Sequence, residues 1–348
     1  MSKPVLGIIG GGQLGSLLSS AAKKLDIKSI IVSDDKEAPG QKFCDEFIFS
    51  DYNDIEKINQ FAKNCDVITF EFENIPFETL RTINNIKTVL PKPSVNKVIQ
   101  NRLLEKNFLN KLNIKTTKYI SIKNNSDILN NQNLLPGILK TSTLGYDGKG
   151  QYIINSIKDL DSQKIDFNKN YILEKKVNLK KEISVIITIF KKNNYEIYEP
   201  IENIHRDQIL IKSKIPADIT NEIFNKSKLW STVITEELDY IGTLCVEFFI
   251  DINDNLYVNE IAPRVHNSGH LTINAYETSQ FENHIRAICN LEKIKLKKIS
   301  NAEMINLIGD EILDYRNKKL KDNEYFFDYL KKEIKPKRKM GHLTILNK

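Results

Sequence analysis

Glu247 and Glu260 make the strongest chemical demand on this chain. Each lies in an apolar run, Leu244-Cys245-Val246-Glu247-Phe248-Phe249-Ile250 and Leu256-Tyr257-Val258-Asn259-Glu260-Ile261. The intervening Asp251-Ile252-Asn253-Asp254-Asn255 supplies turn residues, so the two runs read as a hairpin. Pairing Asp251 with Leu256, with no bulge, places Glu247 opposite Glu260, roughly 5 Å apart at Cβ. Two carboxylates facing each other among apolar neighbours repel, and one would ordinarily be protonated. A divalent cation between them relieves the penalty. Oxygen ligands with no His–Cys cluster nearby select Mg²⁺, with Mn²⁺ as a substitute and waters and nucleotide phosphates completing the shell. The alternative is two glutamates on a solvent-facing surface.

The segment Glu260-Ile261-Ala262-Pro263-Arg264-Val265-His266-Asn267-Ser268-Gly269-His270 follows at once. Arg264 offers a planar fork for an oxyanion, and His266 can donate to an anion or shuttle a proton. A second cluster runs Lys140-Thr141-Ser142-Thr143-Leu144-Gly145-Tyr146-Asp147-Gly148-Lys149-Gly150-Gln151 after the apolar Ile138-Leu139. Glycines flanked by lysines suit a flap over a polyphosphate, with backbone amides and cations neutralising it together; a plain hairpin is the alternative. A third cluster, Gly10, Gly12 and Gly15, fits G-x-G-x-x-G, where glycine lets phosphate approach the amides at a helix N-terminus. Alone this pattern is weak. It also fits a nicotinamide-dependent oxidoreductase with Asp34 or Asp35 on a ribose.

These residues need elements to hold them. Val5–Ile9 reads as a strand, the segment from Ser16 to about Lys24 as a helix, and Ser29–Val32 as a second strand, which makes a βαβ unit with a parallel sheet. Cys65–Phe70 reads as a later strand ending at Glu71-Phe72-Glu73-Asn74. Ligands of parallel sheets collect at the carboxyl ends of strands, where both the glycine loop and this acidic pair lie. Ser94 is placed to cap a helix reaching about Leu112, with Val98, Ile99, Leu104, Phe108, Leu109 and Leu112 as its buried face. The spacing predicts an α/β fold in three parts: residues 1–100, then 101–290 with a flap subdomain over about 113–177, then a small C-terminal part, 291–348. Tyr171–Glu174 reads as a strand whose end can offer backbone groups to a base, and Glu182 is placed to take ribose hydroxyls.

Composition bounds the function. The chain has 348 residues, 41% hydrophobic and 28% charged, with a net charge of +6. That describes an ordinary globular protein with room for two or three domains. The basic excess is scattered except for Lys335-Pro336-Lys337-Arg338-Lys339, which fits a solvated face or a pocket for one phosphorylated metabolite better than a nucleic-acid surface. Cys44, Cys65, Cys245 and Cys289 form no CxxC pair and read as reduced cysteines of a cytoplasmic protein. Neither a signal peptide nor a membrane span is expected.

Taken in order, GGGQLG (10–15), EFEN (71–74), LGYDGKGQ (144–151), NEIAPRVHNSGH (259–270), SQFENHIRAI (279–288) and RKMGHL (338–343) resemble the ATP-grasp ligases. Within that superfamily they resemble the ATPase-type carboxylases of purine biosynthesis. The resemblance implies a Rossmann-like N-terminal domain, an ATP-grasp domain and a small C-terminal domain. It implies ATP contacts at Arg102, Lys140, Gly145, Tyr146, Asp147, Gly148, Lys149, Gly150, Gln151, Glu174, Lys175, Lys176, Val177, Glu182, His205, Asn259 and Glu260, with magnesium on Glu247 and Glu260. An aminoimidazole ribonucleotide would meet Gly12, Gln13, Leu14, Glu73, Tyr146, Asn267 and Ser268, and its phosphate Lys332 and Arg338. Arg264 and His266 would hold bicarbonate beside the amine, with Lys140 as a further catalytic group. A homodimer is implied, as are small-molecule partners only, with no nucleic acid or membrane. A related ligase using formate remains the alternative within the family. The chain departs from the usual pattern at Ser16, where relatives carry Arg, and at Leu144, where many carry Gly. It also ends soon after Gly341-His342-Leu343, where many relatives carry a further helix.

Overall fold

A computed structural model describes every residue except 1, 2, 144, 146–149, 164 and 348; the side chains of 161 and 162 are also left undescribed. The strands β1 (Leu6–Ile9), β2 (Ser29–Ser33), β3 (Glu46–Phe49) and β4 (Val67–Phe70) form a parallel sheet in the order β3-β2-β1-β4. β1, β2 and β4 are buried along their whole length, the signature of a parallel sheet covered on both faces. The helix Gln13–Lys24 connects β1 to β2 and buries Leu14, Leu17, Leu18, Ala21 and Ala22. This is the expected βαβ unit.

The expected continuous helix after Pro93 is instead two, Pro93–Ile99 and Arg102–Lys111. Asn101 interrupts it: its side chain accepts from the amides of Leu103 and Leu104 and caps the second helix. Lys92, not Ser94, stands at the first N-cap. Leu109 is buried and Phe108 and Leu112 pack against the same core as expected, but Leu104, in the first turn after the break, is 44% exposed. The break also makes Arg102 the first residue of the new helix, with its backbone amide on the Ser142 carbonyl at 2.9 Å.

A four-stranded antiparallel sheet follows, from β5 (Tyr119–Ile122), β6 (Gly137–Thr141), β7 (Gln151–Ile154) and β8 (Tyr171–Lys175), ordered β5-β8-β6-β7. Of the expected flap, 145–151, Gly145, Gly150 and Gln151 are described, while Tyr146, Asp147, Gly148 and Lys149, with the preceding Leu144, lie outside the described residues.

The largest sheet gathers β9 (Leu179–Lys191), β10 (Asn194–Ile197), β11 (Ile201–Arg206), β12 (Ile209–Ile215), β13 (Gly242–Asp251) and β14 (Leu256–Ala262). It continues through the C-terminal strands β15 (Asn301–Ile308), β16 (Glu324–Asp328) and β17 (Lys339–Asn347). The order is β14-β13-β9-β11-β12-β15-β17-β16, with β10 paired to β9. Alternation along β9 and β13 divides two cores: Val185, Ile187, Leu244, Val246 and Phe248 face one, Ile186 and Cys245 the other. The helix Gln280–Ile288 places Phe281, Ile285 and Ile288 in the same cluster as Leu6, Leu14 and Leu18. The parallel sheet is thereby packed onto the large one, and the ends of β1 and β4 face the β13–β14 hairpin.

Candidate active site

Glu247 and Glu260 are directly paired across β13 and β14. The register that brings them together differs from the expected one. Near the turn Ile250 pairs with Leu256 and Phe248 with Val258, and a bulge between Glu247 and Phe248 then skips Asn259. Asp251 does not face Leu256. The bulge restores the lost residue, so two consecutive side chains, Asn259 and Glu260, are inserted between the core residues Val258 and Ile261.

The two carboxyls are electrostatically unequal. Burial, and then the facing Glu260, pushes Glu247 up to about 8. Burial also opposes ionisation of Glu260, but Arg102 and Lys140 outweigh it and hold that carboxyl below its ordinary range. Arg102 Nη1 lies 3.1 Å from Glu260 Oε2, and its Nη2 donates to the Gly145 carbonyl at 3.3 Å. Glu247 Oε1 lies 3.1 Å from His266 Nε2. Burial, with Arg264 and Lys339 adding to it, pushes the His266 pKa well below its ordinary value.

The donors fit a hard divalent ion. Two carboxylates come from facing strands, and the bulge adds Asn259 Oδ1, a buried oxygen with no hydrogen-bond partner among the described residues. The expectation that no His–Cys cluster lies near fails in space, because Cys245 Sγ, a Glu247 oxygen and a His266 nitrogen lie within 4.8 Å of one another. Burial drives the Cys245 thiol well above its ordinary pKa, and sulfur is the softer donor, so a hard ion prefers the carboxylate oxygens of Glu247.

Around this pair the expected residues divide into those that converge and those that do not. Lys140 Nζ donates to Glu174 Oε2 at 3.1 Å, and Thr117 Oγ1 donates to the same oxygen at 3.0 Å. Burial opposes ionisation of Glu174, yet Lys106 and Lys140 hold it at about 2. The linker Glu174–Val177 carries the chain out of β8, with the Lys176 amide on the Pro136 carbonyl at 2.9 Å and the Lys175 ammonium turned to the Asn133 carbonyl at 3.2 Å. Glu182 Oε2 and His205 Nδ1 approach to 2.9 Å. Gln151 stands opposite Lys140 at the base of the flap, and Gly150, at φ 71°, receives the Thr141 amide on its carbonyl.

Arg264 Nε donates to Glu73, joining the hairpin to the end of β4. His266 is gripped at its backbone by Gln280, which accepts from the His266 amide at 2.9 Å and donates to its carbonyl at 2.6 Å. Its ring is set by Ser268 Oγ, 2.9 Å from Nδ1. Ser268 and Asn267 are themselves buried, Ser268 against Ser184 Oγ at 2.7 Å and Asn267 Oδ1 under Asn306 at 2.9 Å. Ser268 thus steadies the His266 ring, while Asn267 is tied to Asn306.

The glycine loop has an occupant of its own. The Gly12 and Gly15 amides donate to the buried Glu71 carboxylate. Gly10 sits at φ +101°, and a Cβ there would fall 2.5 Å from Glu71 Cγ. The amides that a dinucleotide pyrophosphate would need are already committed, which removes the ground for the oxidoreductase reading. Ser16, the departure from the usual Arg, is fully buried, with its hydroxyl on the Gly12 carbonyl at 2.9 Å. Leu14 points into the core, while Gln13 Oε1 accepts from Lys331 at 2.9 Å.

At the C-terminal end a residue the sequence did not single out, Lys331, lies beside the expected Lys332 and Arg338. Lys332 is 68% exposed and pairs with Glu37, and Arg338 donates to the Glu333 carbonyl at 3.1 Å. Lys331, one position earlier, reaches the glycine loop and the Lys339 carbonyl at 2.6 Å. Leu330 at φ 56° reverses the chain there and sends Lys331 inward. Glu105 and Lys106 were also missed. Their partners are 10 to 156 residues away in the chain, and no local signal marks them.

Comparison with known proteins agrees with this arrangement. Family models match as an ATP-grasp domain over residues 107–281, a ribonucleotide synthetase preATP-grasp domain over 2–100, and a phosphoribosylaminoimidazole carboxylase C-terminal domain over 302–348. N5-carboxyaminoimidazole ribonucleotide synthase of Staphylococcus aureus is 38% identical over 346 residues, 98% of this chain and 92% of the relative. An ADP complex of N5-carboxyaminoimidazole ribonucleotide synthetase superposes with a TM-score of 0.94 at 37% identity, covering 100% of this chain and 94% of that one. The Aspergillus clavatus synthase in complex with ADP and 5-aminoimidazole ribonucleotide superposes with a TM-score of 0.91 at 27% identity, covering 99% and 94%. With the facing glutamates, the Arg264–Glu73 junction and matches spanning the whole sequence, the chain belongs to the N5-carboxyaminoimidazole ribonucleotide synthetase family of ATP-grasp enzymes.

Proposed function

We infer that this chain carboxylates 5-aminoimidazole ribonucleotide with bicarbonate at the expense of ATP, giving N5-carboxyaminoimidazole ribonucleotide, ADP and phosphate in purine biosynthesis. The observation that carries the reading is spatial: the Glu247–Glu260 pair and the Arg264–His266 pair share one hairpin end, and Glu73 of the parallel sheet closes on Arg264.

The residues divide the work. Arg102 and Lys140 lie on the nucleotide side and bring positive charge to phosphate, while Glu182 and His205 flank the ribose. Glu247 and Glu260, with Asn259 beside them, would hold Mg²⁺, which supplies charge neutralisation at the γ-phosphate when bound. A bicarbonate oxygen attacks that phosphorus, the bond to the β-phosphate oxygen breaks, and carboxyphosphate and ADP result. The exocyclic amine then attacks the carboxyl carbon, or the CO₂ released from it, and phosphate leaves.

Arg264 presents its guanidinium to the bicarbonate oxygens, and His266, oriented by Ser268 and Gln280, holds them from the other side, while the departing phosphate takes the proton the amine loses. Lys331 and Gln13 face the ribonucleotide, with Lys331 as its phosphate contact. Four free cysteines accord with a reducing, cytoplasmic setting, and no helix among the described residues is long and apolar enough to cross a membrane. By family expectation the enzyme is a homodimer.

The test is phosphate release from ATP and Mg²⁺. Release should require bicarbonate and be accelerated by the ribonucleotide, and formate should not replace bicarbonate. Equal release with and without the ribonucleotide would refute the assignment; activity with formate would point to the related ligase instead.

A further inference from the structure

β14 is the edge strand of the large sheet, so its outward N–H and C=O groups must find partners outside the sheet. At Val258 they do so on the preceding segment: the amide donates to the Lys115 carbonyl at 2.8 Å, and the carbonyl accepts from Thr116 Oγ1 at 2.8 Å. In an unbulged strand the next outward pair would both belong to residue 260. The bulge changes this. The groups that turn outward are the Asn259 carbonyl and the Ile261 amide, and two consecutive residues of the helix Arg102–Lys111 meet them. Glu105 accepts from the Ile261 amide at 2.6 Å, and Lys106 Nζ donates to the Asn259 carbonyl at 3.2 Å. Both side chains are buried, at 2% and 1% exposure. Lys106 also donates to Thr116 Oγ1 at 2.8 Å and lies 3.6 Å from Glu174 Oε2.

We propose that Glu105 and Lys106 are positioning residues that clamp the β14 bulge from both sides and so fix Glu260 opposite Glu247. The clamp fits only the bulged register, because the donor and acceptor it meets come from residues flanking Glu260. Lys106 further links the bulge to Glu174 at the start of the nucleotide linker, which Lys140 and Thr117 also hold. The inference rests on the reading of Glu247 and Glu260 as the cation-holding pair.

The experiment measures Mn²⁺ binding in the presence of ADP, from the free-Mn²⁺ electron paramagnetic resonance signal, alongside steady-state kinetics. Glu105→Met leaves the Ile261 amide without an acceptor, whereas Glu105→Gln keeps one. Glu105→Met and Lys106→Met should weaken Mn²⁺ binding by about tenfold and lower kcat, with the KM for the ribonucleotide unchanged. Glu105→Gln should restore binding to within about twofold of the unaltered protein, the difference expected when a hydrogen bond survives. Glu105→Met binding Mn²⁺ as the unaltered protein does, or Glu105→Gln failing to rescue, would overturn the clamp. If Lys106→Met does not fold, the two Glu105 variants decide. Failure of the unaltered protein to bind Mn²⁺ with ADP would instead refute the functional reading on which the clamp rests.

Discussion

Glu247 and Glu260 face each other across two antiparallel strands because a single extra residue, Asn259, bulges out of β14 just before the second of them. Their mutual repulsion, unequal ionisation and apolar setting make the pair costly unless a cation joins it. Glu260→Gln should therefore lower turnover by about 10²–10³-fold, the scale of losing one preorganised charge contact. Its melting temperature should hardly move, since the lost attraction to Arg102 is offset by relief of repulsion from Glu247. Activity and thermal unfolding measured on one preparation check both halves; an unfolded variant would make Glu260 structural.

Arg264 is committed to Glu73, and the proposed mechanism gives its guanidinium the bicarbonate oxygens. A lysine keeps the charge but loses the fork. Arg264→Lys should reduce kcat/KM for bicarbonate or the ribonucleotide roughly 10- to 100-fold, as expected for one charged hydrogen bond. The KM for ATP should stay near its original value. An effect confined to ATP would contradict the assignment.

Glu174 gives the acid limb of stability. Its carboxyl falls from 4.5 to about 2 on folding. A depressed value favours the folded state in full above pH 4.5, and the contribution is lost as pH falls through the folded value. It amounts to roughly 3 kcal/mol at neutral pH. Urea unfolding midpoints should show Glu174→Gln less stable than the original at neutral pH, with the gap narrowing between pH 4.5 and about 2. Parallel curves would contradict this.

Glu71 fills the glycine loop from within the protein. Glu71→Leu leaves two amides without partners, at about 1–3 kcal/mol each, while Glu71→Gln retains an acceptor and should cost less. Urea unfolding separates the two variants. Added NAD⁺ should leave the melting temperature of the unaltered protein where it is; a rise would return the oxidoreductase reading.

β1, β2 and β4 of the parallel sheet were legible because they are short continuous apolar runs, the first two separated by a glycine turn and a helix, whereas the edge strand β3, exposed or half-buried throughout, was not read. The glutamate pair was also legible, though by a register one residue off near the turn, which the bulge at Asn259 then compensated. Nothing in the local pattern of Leu256–Ile261 announces that bulge, because it is stabilised by Glu105 and Lys106 from a helix far upstream. The same distance hid Glu71 as the occupant of the glycine loop and Lys331 as its neighbour. Helical periodicity ran through Gln100-Asn101 without a break, since the side-chain cap at Asn101 leaves no trace in hydrophobic spacing. Residue types were readable, and partners that only tertiary contact supplies were not.

The most direct measurement is a crystal structure of the protein soaked with Mn²⁺ and ADP, with the metal located by its anomalous scattering. The account predicts one peak between the Glu247 and Glu260 carboxylates, within bonding distance of both and of a nucleotide phosphate oxygen. A nucleotide bound with no peak there, or the two side chains turned apart, would contradict it.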